Sequence, residues 1–133
     1  MKKLLVYFLV ASLLTSLVVA VPQVKSSSNS IKVTEPTTNQ KVGGTVDVKW
    51  DTTVIPKGLK TTDNISTRIR CNVNNRTRQF PAKAIIPVPF TVGKREVGIS
   101  DDSDLIGVSC QAFVTDDDNL DIQGVSKKFK LVK

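Results

Sequence analysis

Histidine is absent from all 133 residues. That removes the Ser-His-Asp and Cys-His nucleophilic arrangements and the commonest general base near neutral pH. Aromatic residues make up only 5%, and the single tyrosine, Tyr7, lies in the N-terminal apolar run, so a broad sugar-stacking platform is not expected. Cysteine occurs twice, at Cys71 and Cys110, which without histidine falls short of a four-ligand zinc shell. No second long apolar run follows the N-terminal one, so neither a membrane span in the mature protein nor a GPI signal is expected. No segment carries a convincing 3.6-residue apolar stripe, which argues against a helical domain.

What is present begins with a targeting signal. Met1-Lys2-Lys3 is a short basic start, residues 4–20 are almost uncharged and apolar, and small Ala20 closes the run with Val18 two positions before it. This reads as a signal peptide over residues 1–20, cleaved before Val21, rather than as a membrane anchor. The protein is therefore expected to be secreted, and to be extracellular or cell-wall associated. Residues 21–30 are polar and Ser-rich and read as a flexible lead-in, leaving residues 31–133 as one domain. Lys2 and Lys3 leave with the signal, so 17 basic residues against 12 acidic ones give the mature chain a charge of +5. The charges are interleaved along the chain and form no basic stripe, so nucleic acid is not an expected partner.

In an oxidising compartment Cys71 and Cys110 are expected to form a disulfide, with a reactive thiol or half of a metal site as the alternatives. Asn64-Ile65-Ser66 and Asn75-Arg76-Thr77 are acceptor triplets for N-glycosylation, which places Asn64 and Asn75 at the surface of a glycoprotein.

Beyond residue 30 the apolar residues recur with a period of two. Ile31 and Val33 form one such set; Val46, Val48 and Trp50 form another, after the turn-forming Gly43-Gly44. Ile69, Cys71 and Val73 follow, then Val97 and Ile99, then Val108, Cys110, Ala112 and Val114. Near the C-terminus Val125, Phe129 and Leu131 fall on one face, with Ser126, Lys128 and Lys130 on the other. These are half-buried strands. The stretch from Phe80 to Val92 holds Pro81, Pro87 and Pro89 and reads as an edge segment or loop. About seven short strands with turns between them indicate an all-β, immunoglobulin-like sandwich. Both cysteines lie on the inward parity of their strands.

The residues 31–50, IKVTEPTTNQKVGGTVDVKW, resemble the opening of the N-terminal immunoglobulin-like domain of fungal cell-wall β-1,6-glucan synthesis proteins, a domain shared with Ser/Thr-rich, GPI-anchored fungal membrane proteins. The shared pattern is a first strand ending at Pro36, a glycine turn, and a second strand ending in Trp50. The end, LIGVSCQAFVTDDDNLDIQGVSKKFKLV, resembles that family's last hairpin, with a closing strand around Ser126 and Phe129. The resemblance implies a non-enzymatic domain at the cell wall that aids β-glucan assembly or binds wall polysaccharide. The Ser/Thr-rich stalk, the GPI tail and the aromatic that often precedes the glycine turn are not found here. The alternative is therefore a secreted interaction protein or effector that binds another extracellular protein.

Acidic residues cluster at Asp101, Asp102 and Asp104 and at Asp116, Asp117, Asp118 and Asp121. Both clusters read as solvated turns, whereas a glycosidase needs carboxylates that face each other across a pocket. Calcium is the functional reading of TDDDNLDIQG, but Leu120 stands where the EF-hand loop needs an oxygen ligand, so no metal and no cofactor are expected. Lys94-Arg95 is dibasic but falls inside the domain, which argues against a peptide precursor. Phe80 and Phe90 fit either core or surface. If the two cysteine strands are neighbours, the face opposite the cysteines carries Arg68, Arg70 and Asn72 beside Ser109, Gln111 and Phe113, and beside Ser126, Lys128 and Lys130. Arg68, Arg70, Gln111, Phe113, Lys128 and Lys130 are the candidate binding residues, on a basic, amide-bearing face suited to an anionic glycan or an acidic protein.

Overall fold

Alternation of apolar and polar residues becomes strand in nearly every segment where it occurs. The structure, a computed structural model, describes residues 24–25, 30–83 and 85–133. The signal peptide expected over residues 1–20 lies outside the described residues, as does most of the lead-in. The strands are β1 (Val24–Lys25), β2 (Val33–Glu35), β3 (Gln40–Lys41), β4 (Thr45–Trp50), β5 (Val54–Ile55) and β6 (Asn64–Val73). They continue with β7 (Arg76–Phe80), β8 (Val88–Pro89), β9 (Lys94–Gly98), β10 (Ser109–Asp116), β11 (Gln123–Val125) and β12 (Phe129–Val132).

One sheet runs β3-β12-β10-β6-β7, with β11 also on β10 and β8 also on β6; the other runs β2-β4-β9, and β1 pairs in parallel with β5. In immunoglobulin terms β2, β4 and β9 stand for A, B and E, and β12, β10, β6 and β7 for G, F, C and C′. The chain is thus an all-β, immunoglobulin-like sandwich. Among the described residues no helix is long and apolar enough to cross a membrane.

The strand count exceeds the expected seven for local reasons. Pro36 interrupts the first strand, so β2 pairs with β4 while β3 pairs with β12. Asn74 and Asn75, both at positive φ, turn β6 back into β7, an edge strand that carries almost no apolar pattern. Val46, Val48 and Trp50 from one sheet face Ile65, Ile69, Ala112, Val114 and Leu131 from the other, all buried. Phe80 and Phe90 are both buried, and the Trp50 indole N–H donates to the Phe90 carbonyl at 2.8 Å, which satisfies the polar atom that Trp50 brings inside.

Cys71 and Cys110 are joined by a disulfide and sit directly opposite each other on β6 and β10. The bridge therefore lies within one sheet and on its inward face.

The C-terminal face departs from expectation. Phe113 pairs with Val125, but Cys110 pairs with Phe129, so one extra residue lies between the two pairings. This bulge reverses the alternation across it. Val125 is exposed and Ser126 is buried, opposite to the continuous pattern, while Phe129 and Leu131 do face inward. The Ser126 hydroxyl accepts the Ala112 N–H at 2.9 Å and donates to the Lys127 carbonyl at 2.8 Å, and so repairs the ladder that the bulge interrupts.

Candidate functional site

Strand β6 is long, is paired on both sides, and alternates strictly, so its even-numbered residues between Arg68 and Asn72 leave the core together. Register places Arg70 opposite Gln111 and Arg68 opposite Phe113 on β10, and Arg70 opposite Gln79 on β7. Ser109 pairs with Lys130 on β12. Arg68, Arg70, Gln111, Phe113 and Lys130 are thus gathered on one outward face, as their parity implies. Lys128 is exposed just before β12; Ser126 is withdrawn from the face by the bulge.

Two contacts order this surface. The Arg70 guanidinium lies over the Phe113 ring, 4.5 Å from its centroid, and Gln111 donates its amide N–H to the Ser126 carbonyl at 3.2 Å. The stack sets the exposed Arg70 side chain over the Phe113 ring, and a guanidinium held this way keeps N–H donors for a partner. None of the outward strand positions from Arg68 to Asn72 on β6, at Thr77 and Gln79 on β7, or from Ser109 to Thr115 on β10 is acidic. Asn64 opens β6 and Asn75 sits at the tip of the β6–β7 turn; both are exposed, at opposite ends of the strand.

The second turn of aspartates is not wholly solvated. The alternation of Cys110, Ala112 and Val114 continues for one more step, so Asp116 points inward and is fully buried. Asp117 lies outside and accepts the Ser66 hydroxyl at 2.6 Å. Asp116 meets Asp63, a buried residue in the loop before β6, and exposed Asp118; one carboxylate oxygen from each lies within 4.8 Å of the others. One Asp116 oxygen accepts the Asp118 N–H at 3.0 Å, and the other, Oδ2, has no hydrogen-bond partner. Burial, with the neighbouring Asp63 and Asp118 charges, pushes the Asp116 carboxyl up to about 6. The Lys60 N–H, which donates to Asp63 at 3.0 Å, holds the Asp63 carboxyl below its ordinary value.

Asp63 was missed from sequence because it lies 53 positions from Asp116 and no local pattern ties the two. Asp116 was readable by extending the β10 alternation by one step. The cluster borders an open depression lined by Gly58, Lys60, Thr62, Asp63, Asp118 and Asn119. It does not suit glycoside hydrolysis. Asp116 is fully buried and does not line the depression, so no pair of carboxyls faces across a space for a sugar.

No family model, curated protein or solved structure matches the chain. The functional reading therefore rests on this geometry and on the residues themselves.

Proposed function

We propose that the protein is a secreted, non-enzymatic binding module that associates with the fungal cell wall and holds wall polysaccharide on the outward face of its larger sheet. The observation that carries this reading is the Arg70–Phe113 stack at the centre of an acid-free row of basic and amide side chains. Guanidinium and amide N–H groups donate to hydroxyl and acid oxygens, and Arg70 is held in place before any ligand arrives, which lowers the ordering cost of binding. A flat strand surface with alternating long polar side chains fits an extended polymer better than a small molecule. A part in β-glucan assembly follows from the resemblance of residues 31–50 and of the C-terminal hairpin.

The test is pull-down by insoluble wall polysaccharide. Arg70→Glu combined with Lys130→Glu should weaken retention at least tenfold, about 1.4 kcal/mol. Retention of the wild type should also fall as salt rises. Unchanged retention by the double variant would remove this face from the function, and retention only by an acidic extracellular protein would favour the interaction-protein alternative.

A further inference from the structure

We propose that Asp63, Asp116 and Asp118 bind a calcium ion that clips the loop before β6 to the turn after β10. Three features carry this beyond a mere group of acids. Asp116 is fully buried, yet its Oδ2 has no donor, an arrangement that costs free energy unless something positive reaches it. No lysine or arginine forms an ion pair with any of the three among the described residues. Their oxygens fall within 4.8 Å of one another, the span of two oxygens on opposite sides of an ion at about 2.4 Å.

The donors are all hard oxygens. With no histidine in the chain and both cysteines in the disulfide, the set favours calcium or magnesium over zinc or copper. Calcium takes six to eight oxygens in flexible geometry, and the open depression beside Thr62 and Asn119 leaves room for water and carbonyl ligands. Asp63 and Asp116 come from distant parts of the chain and meet where the β6–β10 ladder ends at the Ile65–Asp116 pair, so the ion would extend a junction made by that pairing and by the hydrogen bonds from the Asp117 N–H to the Asn64 carbonyl and from the Ser66 hydroxyl to Asp117. The local backbone supports the arrangement. Lys60 and Asp63 clamp their own turn, with the Lys60 N–H on the Asp63 carboxylate and the Asp63 N–H on the Lys60 carbonyl.

The experiment is titration of the purified, chelator-dialysed protein with calcium chloride at pH 7.5, followed by calorimetry and by thermal unfolding. The expected result is one site per chain with Kd of about 1 mM or tighter, the range of extracellular calcium modules. At about 10 mM calcium Tm should rise by several degrees, and by more than in equimolar magnesium. Asp118→Asn changes only an exposed side chain, so the variant should fold; it should bind calcium at least tenfold more weakly. Limited trypsin digestion at exposed Lys57 and Lys60 should slow on adding calcium to the wild type and not to the variant. Two outcomes would overturn the site. One is the absence of calcium binding up to about 10 mM, as expected if Asp63 and Asp116 merely share a proton. The other is an equal Tm rise in wild type and Asp118→Asn, which would be a general salt effect.

Discussion

Replacing Cys71 and Cys110 together by alanine should lower the unfolding free energy by about 4 kcal/mol. The two residues are 39 apart in sequence, and a cross-link of that span removes loop-closure freedom from the unfolded chain. The bridge also closes one end of the fold's longest strand pairing, on the inward face, with both residues almost fully buried. Alanine would add the loss of two buried sulfurs to the lost constraint. Domains of this size are stable by only about 5–15 kcal/mol, so the variant should be marginal at physiological temperature. Guanidinium denaturation of the wild type and the variant measures the difference. A loss under about 1 kcal/mol would mean that the unfolded chain already keeps β6 and β10 together.

Gly124→Ala should be almost as costly, at about 3 kcal/mol, the upper end of what overpacking usually causes. A Cβ at position 124 would collide with the Ile31 carbonyl oxygen and stand 2.8 Å from a Val33 methyl. The nearer atom is backbone, and it is not free to retreat. The Ile31 N–H donates to the Gln123 carbonyl at 2.9 Å, and Ser30 bridges to Gln123, so the start of the domain is laced to β11 at this point. Either β11 leaves β10 or Ile31 leaves the core. Thermal unfolding would record the loss as a fall in Tm of more than 10 °C, by the usual scaling for a domain near 100 residues. A variant with wild-type Tm would show that this packing is not tight.

Much of this was legible in the residues because a strand has a rigid period of two. Parity puts Val46, Val48 and Trp50 in the core, where they are buried, and gives Cys71 and Cys110 the shared inward face on which they are bonded. The same parity placed Arg68, Arg70, Gln111 and Phe113 outside, and they are adjacent. What was lost follows from where the period breaks or where contact is not local. The bulge between Val125 and Phe129 inverts the alternation, and nothing in GVSKKF announces an extra residue; only the Ser126 hydroxyl bonding into the ladder explains why a serine can sit inside. Strand β7 was invisible because an edge strand with one apolar residue has no pattern to read. Asp116 opens a run of three aspartates that reads as one solvated turn, although strand parity separates it from Asp117. Its partner Asp63 belongs to a different loop, and such a meeting appears only when the chain is folded.

We propose that the basic sheet face holds the protein at the wall. The most direct test is fractionation of cells that produce the protein. The expected result is a protein that stays in the wall pellet after detergent extraction and is released when glucanase digests the polysaccharide. Recovery of the protein free in the medium, with none retained in the pellet, would contradict it.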